Sequence, residues 1–412
     1  MEKEIKSVLF LGIGGVSMHQ LALAYKQLGV TVYGYDVKES VYTQKCKDCG
    51  ILITKKFKPD FTQVDLCVKT GAIKENNKYI KLLKQKQIKI VDRAEVLSKF
   101  CSNFKHVIAV AGTHGKSTTA ALIYEMFRTA NKKVSCHIGA DIENVRFDLS
   151  DDFLIVEACE YNKSFLSLHP TTAVVTNVEA EHMDSYGSVF ALKNSFLTFL
   201  KRAKNRFVYL DKTTKFLKRN KKINFVGNTN LDINPKLKGE HNFKNISLAI
   251  AVAKHFDIGD KTIIIAVNNF KGISRRYEFL GIKNQSKIYI DYAHHPTEVD
   301  AFIKTFKEEY SDCNIVFQPH TYSRTKLLLP QFIEVLKDVE NLIIFKEYPA
   351  RENKSAGMSA KDLCNELKKI NNSVKYCATY ASLVRNIKQN QATAFVGAGD
   401  INKLAQKFVK SN

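Results

Sequence analysis

The sequence predicts an α/β protein of three domains: a Rossmann-like N-terminal domain, a central α/β domain of the P-loop ATPase type, and a Rossmann-like C-terminal α/β domain. Three observations carry this expectation. The apolar run "SVLFL" enters a glycine-rich turn, Gly12-Ile13-Gly14-Gly15, before a helical pattern with apolar residues at 18, 21, 22 and 25. A second apolar run, "HVIAVAG", ends in Gly112-Thr113-His114-Gly115-Lys116-Ser117 before helical spacing resumes in "AALIYEMF". Beyond Phe270, four apolar runs each end in polar or charged residues, the layout of strands whose C-terminal ends face a ligand crevice. A length of 412 residues suits two to four domains, and the breaks are expected at 1–102, 103–272 and 273–412.

Composition narrows the class. Hydrophobic residues make up 45% and charged residues 25%, ordinary for a soluble globular chain. No apolar run approaches the ~20 residues needed to span a bilayer, so no membrane insertion is expected. The start "MEKEIKSVLFLGIGG" places Glu2 and Glu4 ahead of an apolar run that breaks at glycines, unlike a secretory leader. The nine cysteines are scattered, mostly in apolar runs, which points to reduced thiols and a cytoplasmic protein. Cys46 and Cys49 form a C-x-x-C with no second pair at zinc-ligand spacing, so no such metal site is expected. The net charge of +22 comes mainly from lysine, which supplies 52 of 63 basic residues spread along the chain. A nucleic-acid binder concentrates its basic residues in a patch and favours arginine. That class is therefore a minor alternative, while a basic field would still draw in anionic substrates.

In the first segment, the strand–glycine turn–helix unit continues into "TVYGYD", which ends at Asp36. This is a dinucleotide fingerprint with Ser17 in place of the third glycine. By itself it says that a phosphate or diphosphate docks at the helix start, without saying which molecule carries it. In the second segment, the turn at 112–117 directs backbone N–H groups and a helix N-terminus at one point. Lys116 can reach outer phosphates there, and the Ser117 hydroxyl can ligate Mg²⁺. The strand "DFLIVEACE" and the run "TTAVVTNVEAEHMD" bring Glu157, Glu160, Glu181, His182 and Asp184 to the same end of the sheet. Acidic groups and a histidine beside such a loop suit a phosphate-bound Mg²⁺. In the third segment, the adjacent Arg275 and Arg276 precede "SKIYIDYAHHPTE", "CNIVFQPHTYSRT", "NLIIFKEYPARE" and "TAFVGAGDI".

Taken in order, "GIGGVSMHQLA", "GTHGKS", "EACEYNKSFL", "TNVEAEHMD", "GEHNFKNISLAIAVA", "DYAHHPTE", "QPHTYSRT" and "GAGDI" resemble the Mur ligases over essentially the whole chain. The resemblance implies ATP and Mg²⁺ as cofactors. It further implies that the lactyl carboxylate of UDP-N-acetylmuramate is phosphorylated by ATP and that L-alanine then attacks the acyl phosphate, as in peptidoglycan precursor synthesis. Carried over position by position, Gly112, Thr113, His114, Gly115, Lys116, Ser117 and Thr118 resemble the ATP phosphate loop. Ser117, Glu157 and His182 resemble the metal site, and Asn242 the adenine contact. Arg276 and Asp291 are expected toward the nucleotide. Tyr292, His294, His320 and Arg324 are expected at the alanine and muramoyl groups, and Gly14, Gly15, Ser17 and His19 at the UDP diphosphate. Lys116, Glu157, His182 and Arg324 are the catalytic candidates.

The chain departs from the family pattern in places. Ser117 stands where threonine is usual and keeps the hydroxyl. Thr321 stands where many members have arginine, and Cys159 where aspartate is common. Two further readings remain beside this one. A family member that recycles muropeptides would join a tripeptide to the same UDP-sugar. An NAD-dependent oxidoreductase would account for Gly12-x-Gly14 and Asp36 but would leave the second loop and the third segment unused. The resemblance implies a monomer or weak homodimer with small-molecule substrates.

Overall fold

The computed structural model describes residues 5–71, 73–140, 145–181, 183–350, 352–353, 355 and 357–411. Three sheets follow one another along the chain. The first contains β1 (Ser7–Leu11), β2 (Thr31–Tyr35), β3 (Leu52–Thr54), β4 (Leu66–Lys69) and β5 (Lys89–Asp92), in the order β3-β2-β1-β4-β5. Every neighbouring pair in it is parallel. The second contains β6 (His106–Ala111), β7 (Val134–His137), β8 (Phe153–Glu157), β9 (Thr172–Val175), β10 (Asn205–Tyr209) and β11 (Asn224–Val226), in the order β11-β10-β9-β6-β8-β7 and again parallel. The third contains β12 (Glu278–Lys283), β13 (Ser286–Asp291), β14 (Cys313–Phe317), β15 (Asn341–Phe345), β16 (Lys375–Cys377) and β17 (Ala392–Val396), in the order β12-β13-β17-β14-β15-β16. Here β12 alone is antiparallel to its neighbour. The expected α/β class with parallel sheets is what the chain adopts.

The residue pattern explains the layering. In β1, Val8 and Phe10 point into one core with Leu21, Ala22 and Tyr25 of the helix Val16–Gln27. Leu9 and Leu11 point into another with Phe61, Cys67, Ile80 and Leu83. A strand covered on both faces must be apolar at every position, which is why "SVLFL" reads as a continuous run. In the third sheet the helix Pro296–Glu309 buries Val299, Phe302 and Phe306 on one face, and the helix Ile401–Lys410 buries Ile401, Ala405 and Phe408 on the other. Strand β12 is absent from the sequence-based expectation. It is an edge strand whose register shifts between Phe279 and Gly281, and Gly281 has φ +144°, so no clean alternation marks it.

By packing, the chain divides into two units: residues 1–235 with 244–270, and residues 236–243 with 271–412. Within the first unit one apolar core runs between the first two sheets. Phe147 packs on Phe100 and Phe104, with ring centroids 6.3 Å and 6.0 Å apart, and its carbonyl accepts from the Gln27 side chain. Among the described residues no helix is long and apolar enough to cross a membrane.

Candidate active site

The loop after β6 is built around two glycines. Gly112 has φ +144°, and a Cβ there would lie 1.9 Å from Thr176 Oγ1. Gly115 has φ +79°, and a Cβ would lie 2.3 Å from Asn245 Oδ1. Both positions therefore exclude larger residues on backbone and steric grounds together. Asn177, two residues beyond β9, splints the loop. Its carbonyl accepts from Thr113 N at 3.1 Å, its Oδ1 accepts from His114 N at 2.9 Å, and its Nδ2 donates to His114 O at 3.0 Å. Strand β6 lies between β8 and β9, so the loop opens at a switch point where neighbouring connections diverge.

Lys116 begins the helix Lys116–Thr129 and folds over the loop. Its Nζ donates to Gly112 O at 2.6 Å and Thr113 O at 2.9 Å, and pairs with Glu160 Oε2 at 3.0 Å. Burial opposes its charge, but the carboxylates of Glu160 and Glu157 outweigh that and hold its pKa above the usual lysine value. Ser117 Oγ donates to Glu157 Oε2 at 2.7 Å, and Gly139 N donates to the same oxygen at 2.9 Å. Thr118 is buried in the first helical turn. His114 Nε2 lies 3.7 Å from Glu179 Oε2. His182 lies outside the described residues. Asn177 and Asn245 escaped the sequence reading because their partners are 63 or more positions away; the quoted motifs contain both residues, and only their proximity to glycines marks them. Glu160 was placed at this sheet end by sequence, but its pairing with Lys116 was not foreseen.

In the first sheet, Gly14 N donates to Asp36 Oδ2 at 2.9 Å, and Asp36 also accepts from Lys38 N. The acidic residue at the end of β2 thus bonds the glycine turn itself. Gly15 caps the helix Val16–Gln27. Ser17 Oγ lies 2.9 Å from His137 Nε2 and accepts from Arg93 Nη1 at 2.8 Å. Burial, reinforced by the Arg93 charge, lowers the His137 pKa to about 3, so the ring is neutral. His19 is buried, and its ring stacks on Tyr42 at 4.6 Å.

The second unit gathers its own polar cluster at the C-terminal ends of β13, β14 and β17. Asp291 accepts from Tyr277 N at 2.8 Å and Ala293 N at 2.7 Å; burial raises its pKa against the opposing Arg276 charge. The guanidinium groups of Arg275 and Arg276 lie over the Tyr292 ring at 4.6 Å and 5.2 Å. Arg275 also donates to the carbonyls of Gly397 and Gly399 at 3.0 Å each, which ties the "GAGDI" turn to this cluster. Arg276 lies 3.7 Å from Glu298, and His294 Nδ1 lies 3.2 Å from the same carboxylate. Arg324 Nη1 donates to His320 Nδ1 at 3.2 Å, and the His320 ring stacks on Tyr348. Burial, with His294 and Arg324 nearby, lowers the His320 pKa to about 4. Thr321, with φ +67°, caps the helix Tyr322–Leu327, its hydroxyl accepting from Arg324 N. Asn242 is buried and donates to Lys238 O at 2.8 Å.

Comparison with known proteins gives a consistent match. Residues 7–105 match the model described as Mur ligase family, catalytic domain; residues 110–226 match the Mur ligase middle domain; and residues 275–399 match the Mur ligase, glutamate ligase domain. A relative named UDP-N-acetylmuramate–L-alanine ligase from Acetivibrio thermocellus is 32% identical, covering 99% of this chain and 96% of its own. A relative of the same name from Caldicellulosiruptor bescii is 33% identical over 97% and 98%. Among solved structures, UDP-N-acetylmuramate-alanine ligase from Thermotoga maritima superposes with a TM-score of 0.84 at 22% identity, covering 98% of each chain. A murein peptide ligase from Psychrobacter arcticus gives 0.71 at 20% identity, also covering 98% of each chain.

Proposed function

The chain belongs to the Mur ligase family, and we propose that within it this protein is the ATP-dependent ligase that joins L-alanine to the lactyl carboxylate of UDP-N-acetylmuramate in peptidoglycan precursor synthesis. The observation that carries the reading is the loop Gly112–Ser117, with Lys116 and the Ser117–Glu157 pair, in a chain matched end to end by relatives of that name. A carboxylate is a poor acyl donor because its leaving group would be oxide. Attack of the lactyl carboxylate on the γ-phosphorus forms a C–O–P bond and releases ADP. The alanine amine then attacks the acyl carbonyl, loses a proton, and expels inorganic phosphate as the amide forms.

The chain's residues take roles that follow from their chemistry. The loop N–H groups and Lys116 hold the phosphates of ATP and offset charge that grows on the phosphoryl oxygens. The Ser117 hydroxyl and the Glu157 carboxylate are hard oxygen donors 2.7 Å apart, a set that fits Mg²⁺, with His182 as a further ligand. When bound there, Mg²⁺ would supply charge neutralisation on the phosphates. Asn242 is assigned to adenine, and Arg276 and Asp291 to the nucleotide. Arg324, with the neutral His320 and with His294 and Tyr292, forms a polar surface for the alanine carboxylate and the muramoyl group. Gly14, Gly15, Ser17 and His19 are assigned to the UDP diphosphate at the helix N-terminus. In this scheme residues 1–102 serve the UDP-sugar, 103–272 the ATP and 273–412 the amino acid.

Nine free thiols and metabolite substrates support action in the cytoplasm. The decisive assay is phosphate release with UDP-N-acetylmuramate, ATP and Mg²⁺ across a panel of amino acids and the muropeptide tripeptide. Release that depends on L-alanine is expected. Release with the tripeptide alone would transfer the protein to the recycling branch.

A further inference from the structure

The dinucleotide fingerprint uses its third glycine for close packing of helix against strand. This chain has Ser17 there, on the first turn of the helix Val16–Gln27, and two residues from distant segments meet its hydroxyl. Arg93, from the start of the helix Arg93–Cys101, donates Nη1–H to Ser17 Oγ at 2.8 Å. His137, the last residue of β7 and 2% exposed, places Nε2 at 2.9 Å from the same oxygen. A guanidinium can only donate, so one lone pair of Oγ is already taken. The ring of His137 is neutral and carries one proton, on either nitrogen. If Nε2 were the bare nitrogen, the only proton of Ser17 would be spent on His137. If Nε2 bears the proton, both Oγ lone pairs are filled from inside the protein and the hydroxyl proton is left to point at an anion.

We propose that Arg93 and His137 are positioning residues for the UDP-sugar: together they fill the acceptor sites of Ser17 Oγ, with His137 as the Nε2–H tautomer, so that the Ser17 O–H is presented to the substrate diphosphate. The proposal rests on the glycine turn at 12–15 being the diphosphate site. A hydroxyl polarised by a guanidinium is a stronger donor to phosphate than a free serine, and one held in a single rotamer loses less entropy on binding. Such a hydroxyl turns the lost third glycine into a substrate contact.

The test combines kinetics with a direct look at the tautomer. The steady-state KM for UDP-N-acetylmuramate and for ATP is measured in wild type, Ser17→Ala, Arg93→Ala and the double variant. We expect KM for the UDP-sugar to rise roughly tenfold or more in each single variant, with no further rise in the double and with KM for ATP unchanged. A rise in Ser17→Ala alone, or additive effects in the double, would overturn the positioning role while keeping the diphosphate reading. No rise in any variant would overturn both. In parallel, ¹⁵N-histidine spectra of the unmodified protein, with His137 assigned through His137→Gln, are expected to show a protonated Nε2 and a bare Nδ1. The reverse tautomer defeats the proposal whatever the kinetics show.

Discussion

Replacing Lys116 with alanine separates two jobs that the structure gives this side chain. The lysine is expected to hold ATP phosphates, and it is also the cation for Glu160, whose side chain is 3% exposed. Lys116 itself is 13% exposed, so the pair sits largely out of water. Removing one member of a buried ion pair costs about 3–5 kcal/mol, because the remaining charge has lost its compensation. The lower end applies here, since Lys116 keeps some solvent contact. For a unit of this size, ~3 kcal/mol corresponds to a fall in Tm of about 6–10 °C. Lys116→Ala is therefore expected to lose ATP-dependent phosphate release by at least ~100-fold, the scale of losing one transition-state donor, and also to unfold earlier. Pairing it with Glu160→Gln removes the stranded carboxylate. The double variant should regain most of the stability and none of the activity. Calorimetric or circular-dichroism melts beside the phosphate-release assay read both quantities. A Lys116→Ala protein as stable as wild type, or a double variant as unstable as the single one, would refute the assignment of the Lys116–Glu160 pair to stability.

Three further outcomes are expected. Ser117→Ala and Glu157→Gln should each raise the Mg²⁺ concentration for half-maximal activity by roughly tenfold or more, and Ser117→Thr should restore the wild-type value; titration of activity with Mg²⁺ measures this. Gly115→Ala should abolish nucleotide binding and cost at least about 1–2 kcal/mol, since alanine disfavours φ +79° and its Cβ would meet Asn245; isothermal titration with ATP and a chemical melt test both parts. Stability should fall with acidification from pH 6.5 to about 4. His320 has its pKa depressed from 6.5 to about 4, so in this window the unfolded chain binds the proton and the folded one does not. His137 acts in the same direction down to about pH 3, while Asp291, with its pKa raised by burial, acts in the opposite one. The difference between His320→Gln and wild type isolates the term: the wild-type curve should be steeper between pH 6.5 and 4.

The order of strand, glycine turn and helix was legible because it is written in neighbouring residues. The apolar run of β6, the glycines at 112 and 115 and the start of the next helix lie within ten positions of one another, and backbone geometry ties them together locally. The same holds for Gly12–Gly15 and the helix that follows, and for the strand ends carrying Asp291 and His320. Packing decided the rest, because the partner of a polar side chain is set by which loops close over it. Ser17 meets Arg93 at 76 and His137 at 120 positions' distance, and Lys116 meets Glu160 at 44. The His19 ring stacks on Tyr42 of the helix that follows. The edge strand β12 joins its sheet antiparallel, through a bulge that erases its alternation. Periodicity reports which face of an element is buried; it carries no term for which distant donor a buried acceptor will find, and that choice is made only when the sheets and their helices pack.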